Sequence, residues 1–367
     1  MGADQTSTLP ELGFYGLAGG PPTPAPLLEE AAAGEALGLG SMFLSERFNV
    51  KEAAVLSGAA AAASRHLGIA TAATNHNTRH LMVTASMATT AHRLTGGRFA
   101  LGLGRGIAPL QAAYGLAPIT TAQLEDVAGL LRRLWRGEAI FGHEGPAGSW
   151  PVLHLDSTFD EDIPLLLVAF GPQSLALAGR AFDAVVLHTF FTDETTARAV
   201  ATVRRAAEEA GRDPASVRIW SCFATIPSSL DEQVVAKRTV GRLATYLQGY
   251  GDLLVRTNGW DPGALARLRA DELFATFPGA IDQAATPEQL EHLRGLIPAE
   301  WLAPAATGSD AACAAAVRAQ LDLGVDGVIL HGSAPDELAG VVAAYRRDRD
   351  AARFAGLDAN PGRARRT

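Results

Sequence analysis

Lysine is nearly missing from the chain: Lys51 and Lys237 are the two among 367 residues. Cysteine is as scarce, with Cys222 and Cys313 far apart and neither beside a metal-ligand companion. That excludes a disulfide scaffold or a zinc site as the organising device, and fits a reducing compartment. Excess basic charge is absent too. The formal net charge is −8, where a nucleic-acid surface needs a clustered basic face. The richest basic stretch, Arg346 to Arg366, reads as a solvated mixed-charge tail over about 350–367. No apolar run reaches membrane length; Ala59–Ala63 is short and interrupted. Met1 to Pro10 is polar and lacks the basic-then-apolar order of a secretory signal. His76 and His80 stand four apart, but no carboxylate cluster joins them, and no metal is expected. These absences predict a cytoplasmic protein that acts on a small molecule, away from membrane and nucleic acid.

What is present is core-forming material, 48% hydrophobic against 19% charged, well clear of the disordered regime. It is arranged as short apolar runs alternating with helical segments. Strands are predicted at Leu12–Leu17, Met42–Phe48, His66–Ala73, Phe99–Leu103, Ile163–Phe170, Asp183–Thr189, Val217–Ile226 and Val325–His331. Between them, Leu27–Leu39, Ala53–Ala63, Met82–Leu94, Leu124–Trp135, a segment from Ser174, Thr195–Ala210 and Pro335–Tyr345 carry helical signals. Eight strand–helix repeats are the count of a (β/α)8 TIM barrel, expected here as a single domain over 1–367. Two insertions break the rhythm. Residues 137–162 suit a surface loop or hairpin. Residues 228–310, with helical stretches Leu230–Leu247, Pro262–Phe274 and Pro287–Leu296, suit a helical cover over the barrel mouth. Their apolar residues are too scattered to predict a separate core.

Catalytic groups of such barrels collect at the C-terminal strand ends, and four stretches stand out there. Gly102-Leu103-Gly104-Arg105-Gly106 follows the fourth strand. It fails the dinucleotide fingerprint, because Ile107 occupies the third glycine position and three strands precede it. It does let a ligand approach the backbone closely, and Arg105 is shaped to grip phosphate; the competing reading of Arg105 is a solvated loop residue. Phe170-Gly171-Pro172-Gln173-Ser174 turns from the fifth strand into a helix, whose first-turn N–H groups and the Ser174 hydroxyl form an anion site. Ser45-Glu46-Arg47-Phe48 places an acid beside a base after the second strand; the plainer reading is a loop ion pair. His76, Arg79, His80 and His188 fall near further strand ends.

The stretches Thr71-Ala72-Ala73-Thr74-Asn75-His76-Asn77-Thr78-Arg79-His80 and Leu94-Thr95-Gly96-Gly97-Arg98-Phe99-Ala100-Leu101-Gly102-Leu103-Gly104 resemble the bacterial luciferase-like monooxygenase family, and within it the branch of coenzyme F420-dependent oxidoreductases. Ala169–Ser174, Leu177–Arg180 and Asp322–Leu330 extend the resemblance over most of the barrel, outside the two insertions. The resemblance implies that Glu46 contacts the deazaflavin and that Arg47 faces the substrate. It implies that Ala72 and Ala73 lie at a non-prolyl cis peptide in a strand bulge behind the ring. It also implies that Arg105 with Gly106, and Gly171 with Gln173 and Ser174, hold phosphate. Arg47 stands where sugar-phosphate dehydrogenases of the family carry histidine, and Ile107 where they carry a carboxylic acid. That substrate and proton-transfer scheme is therefore not implied. Relatives in the family usually form homodimers.

The expected function is hydride transfer between coenzyme F420 and a small organic substrate, with Arg47, His76 and His188 as the candidates to polarise or protonate it. Two alternatives stay open: an FMN-dependent monooxygenase on the same barrel, which Arg105 permits, and a non-catalytic flavin-binding barrel. An aldolase-type barrel would want a lysine at a strand end, and neither Lys51 nor Lys237 sits at one.

Overall fold

The computed structural model describes residues 8–48 and 50–365; the reading of Met1 to Ser7, and the last two residues of the tail, lie outside them. Eight parallel strands close into a barrel: Leu9–Tyr15, Leu39–Leu44, Gly68–Thr71, Phe99–Leu103, Leu165–Val168, Ala184–Val186, Arg218–Pro227 and Gly327–His331. The first strand pairs with both the second and the eighth, and the sixth pairs with the seventh, so no edge is left open. The TIM-barrel expectation holds. Both strand faces are apolar, as parallel strands under a helical layer require. Met42, Leu44, Ile69, Leu101 and Leu167 point out to the helices. The alternate residues Phe43, Ala70, Ala100, Leu166, Val186 and Trp220 fill the interior. Gly102 is where two backbones nearly touch: a methyl there would collide with the Thr71 carbonyl.

Boundaries differ at several places. The first strand begins at Leu9 and stops at Tyr15, because Leu17 takes a left-handed backbone (φ 59) at the turn. The second stops at Leu44, ahead of Ser45 and Glu46. Residues 137–162 do form a hairpin, Ile140–Gly145 with Gly148–Leu153. A short strand, Ala306–Gly308, pairs with the far end of the seventh strand and had no periodicity to announce it.

Two expectations are overturned. The insertion has a core of its own: Val240, Leu243, Leu247, Leu254, Leu265, Phe274, Leu290, Leu293 and Trp301 are buried together. Burying each such side chain contributes about 1.5–3 kcal/mol. They looked scattered because they come from several short helices, among them Arg242–Asn258, Pro262–Ala270 and Pro287–Leu296. The C-terminal tail is also not solvated. Asn360 and Ala364 are buried, and the tail closes the N-terminal end of the barrel. There the buried Arg218 donates to the carbonyls of Asp358 and Asn360 (both 2.9 Å) and Arg363 (3.0 Å). The Trp220 indole donates to the Pro361 carbonyl at 2.8 Å. A guanidinium buried at a barrel floor requires carbonyl acceptors, and this segment supplies them. Among the described residues no helix is long and apolar enough to cross a membrane.

Candidate functional site

At the C-terminal ends of the strands, side chains left partly exposed outline a recess. Tyr15 ends the first strand, Val168 the fifth and His331 the eighth, while Ala73 follows the third and His188 the sixth. All five are partly exposed, although their neighbours along the strands are buried. The insertion helix Arg242–Asn258 brings Tyr246 and Tyr250 over them, also partly exposed. Ring contacts join the wall: Tyr15 to His331 at 5.3 Å, Phe170 to His188 at 4.4 Å, His188 to Tyr246 at 5.0 Å, and Tyr246 stacked on Tyr250 at 5.4 Å.

One side of the recess is a bulge after the third strand. The Ala72–Ala73 peptide is cis, as the resemblance implied. Ala72 donates to the Leu44 carbonyl (2.7 Å), Glu46 to that of Ala73 (3.2 Å), Thr74 to that of Gly102 (3.0 Å), and Gly104 to that of Thr74 (2.9 Å). The Tyr15 hydroxyl donates to the Ala72 carbonyl at 2.9 Å. A methyl at Gly104 would stand 2.9 Å from the Ala73 methyl, so only small residues fit on this side. Glu46 is deeply set, its side chain 5% exposed, and it is spoken for: the Thr74 hydroxyl and the Arg79 guanidinium both donate to its carboxylate. Arg79 reaches on to Glu52. Sequence reasoning took Arg79 only as a strand-end residue, whereas here it fixes the turn that carries the bulge.

Two strands round from the bulge lies the start of the helix Pro172–Ala181. Gly171 is its N-cap, Pro172 its first residue, and the Ser174 hydroxyl accepts from Phe170 N–H and donates to the Gly171 carbonyl. Nothing approaches within 4 Å of a methyl built on Gly171. Gln173 is exposed, and this first turn presents its N–H groups outward. Arg105 is exposed and held by the Thr121 hydroxyl. Gly106, at φ 70, turns the chain into the short helix Ala108–Ala113.

The three candidates for substrate chemistry separate. Arg47 is exposed; its backbone bridges to Lys51, and its guanidinium donates to the Glu46 carbonyl at 3.2 Å. His76 begins a short 3-10 turn, its Nε2 buried without a partner, and burial lowers its pKa. His188 sits in the aromatic wall. Its Nδ1 is 2.8 Å from the Thr189 carbonyl and its Nε2 is 2.8 Å from the Tyr250 hydroxyl. Burial pushes its pKa down to about 4, so the ring is neutral at physiological pH. Burial likewise raises the phenols of Tyr246 and Tyr250. Arg242, paired with Asp282 at 2.8 Å, faces both. Sequence reasoning missed Tyr15, His331, Tyr246 and Tyr250. A signal was there for His331, which closes the predicted strand Val325–His331, whereas Tyr250 lies beyond the predicted helical stretch Leu230–Leu247.

The curated 5,10-methylenetetrahydromethanopterin reductase of Methanolobus tindarius is 24% identical over 308 residues, 82% of this chain and 87% of that protein. The phthiodiolone/phenolphthiodiolone dimycocerosates ketoreductase of Mycobacterium bovis is 28% identical over 205 residues, 51% of this chain and 50% of that protein. Among solved structures, the coenzyme F420 dependent tetrahydromethanopterin reductase from Methanopyrus kandleri superposes with a TM-score of 0.76 at 17% identity, covering 92% of this chain and 98% of that one. Both curated relatives are oxidoreductases by name, which supports an enzyme here. The Luciferase-like monooxygenase family profile matches residues 6–327, and the chain belongs to that family.

Proposed function

We propose that this protein is a coenzyme F420-dependent oxidoreductase of the cytoplasm, acting on a small organic substrate at a hydroxyl or carbonyl carbon. The observation that carries the reading is the recess itself. It has a small-residue bulge at Ala72, Ala73 and Gly104 after the third strand and an open helix N-terminus at Gly171 after the fifth. A flat ring with an anionic tail is the ligand that such a pair of features suits. The motif resemblance, the F420 dependence of the superposing reductase and the ketoreductase relative support the choice of deazaflavin and substrate.

In this reading Ala72 and Ala73 back the ring. Glu46 serves by holding the bulge through Thr74 and Arg79 and lies at the ring's polar edge. Arg105, Gly106, Gly171, Gln173 and Ser174 hold the phosphate. The deazaflavin, when bound, supplies the hydride chemistry. The protein's own part is to exclude water with the insertion, orient the substrate from Arg47 and His76, and manage a proton at His188. Arg105 and the open helix end would serve FMN equally well, so the test has two arms. Purified protein is given F420 with secondary alcohols under anaerobic conditions, and separately reduced FMN with oxygen. Loss of oxidised deazaflavin in the first arm alone supports the proposal. Oxygen consumption in the second arm alone assigns the protein to the monooxygenases, and binding without turnover in either marks a carrier.

A second copy of the chain fits the outer face between helices Ala53–Ala63 and Leu81–Leu94. Val55 (70% exposed), Val83 (55%) and Leu94 (62%) stand open to solvent there, an apolar patch of the sort that marks an interface. Light scattering on the purified protein is expected to give a dimer, which Val55→Glu with Val83→Glu dissociates.

A further inference from the structure

We propose that Tyr250 exchanges a proton with the substrate oxygen, and that His188 behind it is the positioning residue that takes up or returns that proton. The assignment rests on the oxidoreductase reading above and adds the residues that move the proton.

Three phenols line the recess, and their partners separate them. The Tyr15 hydroxyl donates to a backbone carbonyl, that of Ala72, and a carbonyl cannot take a proton onward. The Tyr246 hydroxyl lies toward Thr189, which is no base and whose own hydroxyl meets the Cys222 sulfur at 3.1 Å. Tyr250 alone of the three has its hydroxyl hydrogen-bonded to an imidazole nitrogen. The direction of that bond follows from the far side of the ring. The Thr189 carbonyl only accepts, so Nδ1 of His188 carries the hydrogen, and Nε2 presents its lone pair to the Tyr250 O–H. The phenol oxygen thereby keeps acceptor capacity on the side away from His188, and Tyr250 is partly exposed to the recess. A substrate hydroxyl is the donor that completes it.

The backbone is bent to this purpose. The insertion helix Arg242–Asn258 is interrupted at Tyr250 itself, whose φ of −157 and ψ of 37 are not helical. At that break the phenol is delivered to His188, and the ring stacks on Tyr246 and meets the edge of Phe170 at 5.6 Å. The kink between the two helical segments thus falls at the residue whose hydroxyl meets His188.

The step balances. As an alcohol is oxidised, its carbinol C–H bond breaks and the hydride leaves with both electrons for the oxidised deazaflavin. The substrate O–H proton passes to the phenol oxygen of Tyr250 while the phenol's own proton moves to Nε2 of His188. The products are a ketone, reduced deazaflavin and an imidazolium, which then releases its proton to solvent. Ketone reduction runs the same transfers backwards, with the imidazolium as the acid.

The experiment uses the full chain with F420 and a panel of isopropanol, cyclohexanol and benzhydrol, with the matching ketones for the reverse direction. Tyr250→Phe keeps the ring and removes the proton. It is expected to lower kcat/KM by at least about 100-fold, the scale of proton-transfer catalysis, with F420 affinity within about threefold of wild type. His188→Gln can still hold the phenol but cannot take its proton, and is expected to fall comparably. Independently of turnover, nitrogen-15 spectra of histidine-labelled protein should show Nε2 of His188 unprotonated, with a resonance that moves in Tyr250→Phe. A Tyr250→Phe enzyme within about threefold of wild type, a protonated Nε2, or an F420-loaded protein that turns over none of the panel each overturns the assignment. Failure of F420 to bind instead removes the cofactor reading on which it stands.

Discussion

Arg79 should be worth far more to this protein than its place in a loop suggests. Its side chain is 14% exposed, and the Glu46 carboxylate it holds is 5% exposed. Replacing it with methionine keeps the stem packed but leaves a buried carboxylate with the Thr74 hydroxyl as its remaining side-chain donor. Removing one partner of a buried pair costs about 3–5 kcal/mol. The second partner, Glu52, is 46% exposed, and such pairs contribute at most about 1 kcal/mol. Urea denaturation followed by circular dichroism should therefore rank Arg79→Met well below Glu52→Ala. The double variant Arg79→Met/Glu46→Gln should be markedly more stable than the sum of its two single losses, because the stranded charge is gone. An Arg79→Met protein within about 1 kcal/mol of wild type, or strictly additive losses, would refute the claim that this network anchors the bulge.

Other outcomes follow from the same physics. Burial raises the Glu30 carboxyl from 4.5 to about 7, so between those values the folded chain holds a proton that the unfolded chain has released. Stability then falls as pH rises through that window, by up to about 3 kcal/mol. Glu30→Gln still accepts the Leu17 N–H and should gain on wild type steadily from pH 4.5 to 7, whereas a pH-independent difference would contradict the burial argument. Ending the chain after Leu357 strips Arg218 of three carbonyl acceptors, and should cost about 3–5 kcal/mol as a lowered unfolding midpoint; an unchanged midpoint would show the tail to be dispensable. Arg105→Ala should weaken F420 binding by about 10- to 100-fold, the worth of a charged hydrogen bond, with the unfolding midpoint unmoved.

The barrel was legible because its signal is local. Runs such as Leu165–Val168 and Phe99–Leu103 are apolar on both faces, and the repeat of strand and helix leaves few topologies open. The Gly102–Gly106 and Phe170–Ser174 turns could be read for the same reason, since backbone approach and helix starts are written in neighbouring residues. What escaped depends on contacts distant in sequence. Asn360 meets Phe99 across 261 positions, and nothing in a charged, glycine- and proline-containing tail announces that it is a barrel floor. Tyr250 meets His188 across 62 positions and through a broken helix. Periodicity stops short of that tyrosine, at Leu247, and it cannot say that a helix breaks at the tyrosine itself. Glu46 was read beside its neighbour Arg47, as an acid next to a base or a loop ion pair, because Arg79, which holds it, lies 33 residues away.

The central claim is that the recess between the Ala72–Ala73 bulge and the Gly171 helix end binds a deazaflavin with its phosphate. Equilibrium titration of the purified chain with F420, read as quenching of the coenzyme's fluorescence beside the same titration with FMN, tests it directly. One F420 bound per chain, at least about tenfold more tightly than FMN and weakened by Gly104→Val, is the predicted result. FMN saturating the protein while F420 leaves its fluorescence unchanged would contradict the account.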